Sequence, residues 1–147
     1  MKILVINAGS SSIKYQLFEM PGWTILAKGM VERIGASDAT LVHKYDGKSH
    51  MAQVDALDHE AAMSVILSTL TDENIGIVRD ISEIQAVGHR VVHGGEEFSG
   101  SVLIDDHVLE SIDRFSDLAP LHNPPNLTGI RAAMHALPDA IQAACFD

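Results

Sequence analysis

The chain has 147 residues, of which 46% are hydrophobic and 20% charged, and its formal net charge at pH 7 is −10. This length is enough for one domain with its own core. The negative charge argues against nucleic acid as a partner, because phosphates would be repelled over most of the surface. The single cysteine, Cys145, excludes an internal disulfide and fits a reducing compartment, and its apolar neighbours predict that it is buried. No apolar stretch suffices for a signal peptide or a membrane span, so we expect a cytoplasmic protein without membrane contact.

The amino-terminal segment predicts a central strand that ends in a turn of small residues. Four apolar residues at 3–6 precede Asn7, and a run that is apolar on both pleat faces is typical of a strand covered on both sides. Gly9 and three serines follow, where backbone N–H groups can face an anion. Alternation then resumes and places Lys14 on the strand face opposite Ile13. This turn predicts a site for phosphates and a hydrated metal; the alternative is a hairpin turn with solvated serines, and no Walker motif is present.

A β-hairpin is predicted next, because the Asp-Gly pair at 46–47 suits a two-residue turn between strands at 40–45 and 48–54. His43 and His50 face each other across this turn. We interpret them as solvated edge histidines rather than a metal site, since no carboxylate or cysteine completes the ligand set.

The remaining periodicity predicts further strands and three helices. The strands are expected at 23–31, 84–92, 102–104 and 140–146. The helices are expected to begin at Asp58, at Asp105 or Asp106, and at Asn123.

Polar residues also stand near the ends of the later predicted elements. Arg90 lies inside the apolar strand at 84–92, and a guanidinium can grip a carboxylate or phosphate through two parallel hydrogen bonds. The alternative is a structural arginine paired with an acid such as Glu96. His122 precedes a proline pair at a helix start, where an imidazole can donate to a phosphoryl or carboxyl oxygen, although a structural histidine is the alternative. Asp147 ends the last predicted strand, and carboxylates at strand ends commonly hold magnesium.

Three segments together resemble the acetate kinase family and its propionate kinase relatives. They are the strand and turn at 3–14, the sequence Gly-His-Arg-Val-Val-His-Gly-Gly at 88–95, and Leu-His-Asn-Pro-Pro-Asn at 121–126. The resemblance covers the whole chain. It implies an α/β fold with a ribonuclease-H-like mixed sheet and flanking helices, the half-unit of the actin-like, sugar kinase and Hsp70 superfamily. It also implies reversible phosphoryl transfer from ATP to acetate, giving acetyl phosphate and ADP, with Mg²⁺ as the cofactor.

The resemblance assigns phosphate and metal roles to the amino-terminal turn. Asn7 would hold magnesium or its water, Ser10 and Ser12 would line the phosphate turn, and Lys14 would neutralise the outer phosphates.

The resemblance also assigns catalytic and substrate-binding roles to residues in the second half of the chain. Arg90 is the substrate arginine, His122 stabilises the transition state, and Val92 and Leu121 line the pocket for the acyl methyl group. Asp147 is catalytic. Because a carboxylate substrate is already ionised at neutral pH, we expect Asp147 to position magnesium and the attacking group rather than to act as a base.

The chain is expected to be a single amino-terminal domain, 1–147, that binds acyl substrate and phosphate and precedes a nucleotide-binding domain. The domain alone is predicted to be inactive, and the resemblance implies a homodimer for the full-length protein. Propionate kinase is the alternative within the family, and Val92 and Leu121 do not decide between the two acids. The alternatives outside it are a non-catalytic nucleotide-binding module and a structural domain.

Overall fold

The computed structural model describes residues 1–91, 100–114, 119–121 and 123–146. Within these ranges the strands are β1 (Lys2–Ala8), β2 (Ser12–Glu19), β3 (Thr24–Glu32), β4 (Thr40–Tyr45), β5 (Lys48–Gln53), β6 (Ile84–Val91), β7 (Gly100–Leu103) and β8 (Ile141–Phe146). The helices are α1 (His59–Leu70), α2 (Asp106–Arg114) and α3 (Asn123–Ala136), and a short 3₁₀ turn spans Ile81–Glu83. None of these helices is long and apolar enough to cross a membrane.

All eight strands belong to one mixed sheet in the order β5-β4-β3-β2-β1-β6-β8-β7. The pairs from β5 to β1 are antiparallel, β1, β6 and β8 run parallel, and β7 returns antiparallel to β8. This confirms the predicted α/β fold class with its mixed sheet and flanking helices. The last strand is not a neighbour of the first, since β6 lies between β1 and β8. The carboxyl ends of these three parallel strands nevertheless lie along the same edge of the sheet, which we call the carboxyl edge.

The helices pack on one face of this sheet. On β1, Leu4 and Ile6 are buried in the same core cluster as Met63 and Ile66 of α1 and residues of α3, whereas Val5 between them is only half-buried. The prediction that β1 is covered on both faces is therefore wrong for the described residues. An apolar run shows that both faces of a strand tolerate burial; it does not show that both are covered.

We call the other side of the sheet the open face, because none of the described helices packs on it. Cys145 lies on this face and is exposed, so the prediction of a buried thiol is wrong. Its neighbours in β8, Ala144 and Phe146, point to the covered face and are buried. The apolar run contained both kinds of position, and strand alternation separates them.

The β4–β5 hairpin forms as predicted, with Asp46 at φ 48° and Gly47 at φ 70° in its turn. Positive φ at both central residues is the conformation that an Asp-Gly pair favours. His43 and His50 do lie opposite each other. His43 is fully buried, however, so its interpretation as a solvated histidine is wrong, and it packs against Tyr15 of β2.

The predicted helix starts are also close to those observed. Asp58 accepts a hydrogen bond from the Ala61 N–H at 2.8 Å and caps α1. Asp105 accepts from the Val108 N–H at 2.9 Å at the start of α2. These caps are local interactions, which explains why the sequence predicts them well.

Candidate functional site

Asn7, Lys14 and Arg90 lie in one row across the open face. Asn7 is the register partner of Lys14 on β2. On the other side of β1, Ile6 pairs with His89, so Asn7 and Arg90 are the next positions along two parallel strands. Adjacent strands are about 4.8 Å apart, which puts an amide between two cations near the carboxyl edge. The structure thus brings together three of the residues singled out in the sequence.

The row continues beyond Arg90 onto the last two strands. Arg90 pairs with Cys145 of β8, and Cys145 pairs with Ser101 of β7. The Ser101 hydroxyl donates to the Cys145 sulfur at 3.4 Å. Two small polar side chains therefore flank the guanidinium position on the side away from Asn7.

The turn that joins β1 to β2 lies at the same edge. Its Gly9 N–H donates to the Ser12 carbonyl at 2.8 Å, Ser10 and Ser11 are exposed, and Ser12 is half-buried. A Cβ placed on Gly9 would lie 3.1 Å from the Ser12 hydroxyl, so the turn favours a small residue there. These hydroxyls and N–H groups can serve as donors to an anion held beside Asn7.

Three hydrogen bonds from other elements fix the carbonyl groups of this turn. The Asn126 amide of α3 donates to the Ala8 carbonyl at 2.9 Å, and the His59 Nε2–H of α1 donates to the Gly9 carbonyl at 2.7 Å. The Ile34 N–H donates to the Ser11 carbonyl at 2.9 Å. Carbonyl oxygens repel anions, and here each of the three has a donor of its own.

Helix α3 approaches the end of β1 very closely. A Cβ on Gly129 would lie 2.6 Å from the Cβ of Ala8. The absence of a side chain at Gly129 therefore allows the contact that brings Asn126 to the Ala8 carbonyl.

A groove of about 470 Å³ extends from Asn7 along the open face. Val5, Met30 and Val42 contribute apolar surface to it, and its lysines are Lys14, Lys28 and Lys44. Lys28 lies directly opposite Lys44 on the neighbouring strand. Like charges placed opposite each other repel, so this arrangement costs some stability. It also concentrates positive charge beside the turn in a chain whose net charge is −10.

His89 lies behind Arg90 on the covered face. It is 2% exposed, and its Nε2–H donates to the Gln142 side-chain oxygen at 2.8 Å. Burial lowers the pKa of His89 to about 4, and the bond to Gln142 opposes this shift. The ring is therefore neutral at pH 7 and supports the sheet beneath the arginine.

Of the four remaining predicted site residues, one lies within the described ranges. This residue is Leu121, which is 77% exposed and lies two residues before α3. The beginning of α3 contacts β1 through the hydrogen bond from Asn126 to the Ala8 carbonyl. Val92, His122 and Asp147 lie outside the described residues. Their predicted roles stay predictions.

The donors present here suit a magnesium ion that is bound together with phosphates. Among the described residues, no group of three or more His, Cys, Asp or Glu side chains could hold a metal. Asn7 offers one half-buried amide oxygen beside the serine turn. Magnesium usually keeps several waters and takes only one or two protein ligands in addition to substrate phosphates, so this small set fits it.

Four polar residues of the site were not predicted as functional, and they are His59, Asn126, Lys28 and Lys44. His59 lies 50 positions from Gly9 in the sequence, and no local pattern connects them. Asn126 belongs to the motif at 121–126 and could have been considered, because a second asparagine beside a proline pair has no need to cap the helix. Lys28 and Lys44 could have been found from strand alternation, since they share a face with Lys14.

Comparisons with known proteins agree in both sequence and structure. A model of the acetokinase family matches residues 2–147. The acetate kinase of Thermotoga maritima is 55% identical over the whole chain, and that of Clostridium kluyveri is 51% identical; the chain spans 36% of the length of each. The crystal structure of Porphyromonas gingivalis acetate kinase superposes with a TM-score of 0.97 at 44% identity, over 99% of this chain and 37% of that one. A propionate kinase from Francisella tularensis superposes with a TM-score of 0.90 at 35% identity, over 99% and 36%.

Proposed function

Because the chain belongs to the acetokinase family, we propose that the full-length protein carrying it transfers a phosphoryl group reversibly from ATP to acetate. The products are acetyl phosphate and ADP. The observation that supports this most directly is the row of Lys14, Asn7 and Arg90 at the carboxyl edge, beside a turn rich in serines. Phosphoryl transfer depends mainly on positioning and charge stabilisation, and this row offers both.

Each residue of the row has a distinct task in this proposal. Lys14 attracts the outer phosphates, and the Ser10 and Ser12 region donates hydrogen bonds to them. Arg90 binds the carboxylate of the acid and the transferring group through paired hydrogen bonds. Magnesium, when bound with the nucleotide, neutralises charge on the phosphate oxygens, and Asn7 would hold it or one of its waters.

Leu121 and three residues outside the described ranges complete the proposal. His122 donates to the transferring group, and Asp147 positions magnesium and the attacking carboxylate. Val92 and Leu121 form the wall that contacts the acyl methyl group. An ionised acid has no proton to lose, so Asp147 has no need to act as a base.

We also propose that residues 1–147 form the acyl-substrate and phosphate half of a two-domain enzyme. The chain's span of 36% of its Thermotoga maritima relative supports this. The rest of the full-length protein would supply the nucleotide-binding half, and the assembly would be a homodimer. Light scattering of the full-length protein tests the dimer.

Propionate is the second candidate acceptor. It is favoured by the close superposition on a propionate kinase, at a TM-score of 0.90. An added methylene in a hydrophobic pocket changes discrimination by only about 1–3 kcal/mol. We therefore expect the full-length enzyme to phosphorylate both acids and to prefer acetate.

The test is acyl phosphate formation by the full-length protein with ATP, magnesium and each acid in turn. We expect turnover with acetate and a lower kcat/KM with propionate. The 147-residue chain alone is the control and should give only background. Absence of turnover with either acid would refute the proposed reaction, and a preference for propionate would replace acetate by the second candidate.

A further inference from the structure

His59 is a side chain of α1 that reaches the phosphate turn between β1 and β2. It is the first residue of α1, it is 8% exposed, and its Nε2–H donates to the Gly9 carbonyl at 2.7 Å. The preceding residue, Asp58, caps the helix and fixes the position from which the ring projects. A buried ring bonded to one backbone oxygen of a turn holds that peptide group in a single orientation.

The orientation of this peptide has a direct consequence for Ser10. In a trans peptide, the carbonyl of one residue and the N–H of the next point in opposite directions within one plane. The Gly9 carbonyl points toward α1, which packs on the covered face. The N–H of Ser10 must therefore point away from α1, toward the side on which Asn7 and Lys14 project.

The other supports of the turn act on different peptide planes. Asn126 holds the Ala8 carbonyl, and the N–H of that plane, from Gly9, is already bonded to the Ser12 carbonyl. Ile34 holds the Ser11 carbonyl. Among the hydrogen bonds of the described residues, the bond from His59 is the one that fixes the plane between Gly9 and Ser10.

We propose that His59 is a positioning residue: by holding the Gly9 carbonyl against α1, its ring aims the Ser10 N–H at a phosphate group of the bound nucleotide. This inference rests on the proposed function, since it deepens the phosphate-binding role of the same turn. His59 acts through the backbone and does not touch the substrate.

The decisive variants are His59→Ala and His59→Gln in the full-length protein. Alanine removes the donor, so the Gly9 carbonyl turns to find another one and the Ser10 N–H turns with it. We expect kcat/KM for ATP to fall by about tenfold or more. The KM for acetate should change by less than about twofold, because Arg90 is unaffected. Glutamine carries an N–H donor of similar reach and should restore kcat/KM for ATP to within about threefold of wild type.

A control on the same helix separates positioning from loss of stability. Thr69 is buried on α1, and its hydroxyl bonds only to the helix carbonyl of Val65 among the described residues. Thr69→Ala should lower the melting temperature and leave the KM for ATP unchanged. Equal loss in the alanine and glutamine variants at His59, or an equal rise in both KM values, would overturn the inference.

A binding measurement keeps this test apart from the test of the acceptor acid. Calorimetric titration of wild type and His59→Ala with MgADP requires no turnover. If neither acid is phosphorylated but the alanine variant binds MgADP about tenfold more weakly, the proposed reaction fails and the positioning role stands. If wild type turns over and the variant binds MgADP normally with normal kinetics, the proposed reaction stands and the positioning role fails. If wild type neither binds MgADP nor turns over, both fail.

Discussion

The Tyr15 hydroxyl donates to Nδ1 of the His43 ring across 2.7 Å, and both side chains are buried. The other ring nitrogen, Nε2, donates its proton to the Ile75 carbonyl at 2.9 Å. Because a carbonyl only accepts, Nδ1 must be the acceptor, so His43 is neutral in this arrangement. Burial raises the pKa of Tyr15 and lowers that of His43, which keeps both groups uncharged at pH 7. The pair ties β2, beside Lys14, to the hairpin and to the segment after α1.

We expect Tyr15→Phe to lower the free energy of unfolding by about 1–3 kcal/mol, because it leaves Nδ1 of His43 buried without a donor. Tyr45→Phe is the matched control. The Tyr45 ring stacks on His43, but the bond to Nδ1 comes from Tyr15. Urea unfolding at pH 7.5 measures the free energy of unfolding of both variants. Equal losses in the two variants would show that the hydroxyl of Tyr15 contributes nothing specific.

Two glycines in strand interiors should respond very differently to alanine. A Cβ on Gly29 of β3 would overlap the Val42 carbonyl oxygen and would lie 2.5 Å from the Tyr15 hydroxyl. On Gly88 of β6 its nearest neighbour would be a Val5 methyl at 3.9 Å, an ordinary contact. Gly29→Ala should therefore lower the free energy of unfolding by about 3 kcal/mol or more, since the overlapping group is backbone. Gly88→Ala should change the free energy of unfolding by less than about 1 kcal/mol. Thermal unfolding measures the melting temperatures of both variants, and similar melting temperatures would contradict the prediction.

His89 should make the protein less stable in mild acid. Its pKa is about 4 in the folded chain and about 6.5 in an unfolded one, so between these values the unfolded state binds an extra proton. This contribution to stability is complete above pH 6.5 and decreases as the pH falls toward 4. Between pH 7 and pH 5 the loss from His89 should be about 2 kcal/mol.

The measurement is the urea midpoint at several pH values from 7.5 to 5, for wild type and His89→Gln. Carboxylates such as Asp72 and Glu83, whose pKa values are lowered by backbone hydrogen bonds, titrate below this range. The urea midpoint of His89→Gln should change less with pH than that of wild type, whatever the absolute stability of the variant. The same dependence in both proteins would mean that protonation of His89 does not limit stability.

The sequence predicted best those features that depend on neighbouring residues. The Asp-Gly turn, the Asp58 cap and the opposite faces of Ile13 and Lys14 all follow from local geometry. The predictions that failed concerned packing between distant segments. His43 is buried because Tyr15 and Ile75, 28 and 32 positions away, supply partners for its ring.

The candidate site shows the same division. Residue types and positions near strand ends, together with the family resemblance, predict Asn7, Ser10, Ser12, Lys14 and Arg90 as site residues. Their common row required the register of β1 with β2 and β6, which no single strand reveals. The exposure of Cys145 depends on which face of β8 the helices cover, and strand periodicity does not decide between two faces.

The last prediction tests whether Arg90 binds the acid through its shape as well as its charge. In the full-length enzyme, Arg90→Lys keeps a cation at this point of the row but loses the paired hydrogen bonds that a planar guanidinium offers a carboxylate or phosphate. We expect kcat/KM for acetate to fall by about a hundredfold, which corresponds to about 3 kcal/mol of transition-state binding.

Arg79→Lys is the matched control, because Arg79 precedes the amino-terminal end of β6 and so lies at the opposite edge of the sheet. Steady-state kinetics with acetate varied at saturating ATP measures both variants. Near-normal kinetics in Arg90→Lys would make Arg90 a structural residue, whereas an equal loss in Arg79→Lys would point to a general loss of folded enzyme. A selective loss in Arg90→Lys would support the assignment of this end of the row to the acid substrate.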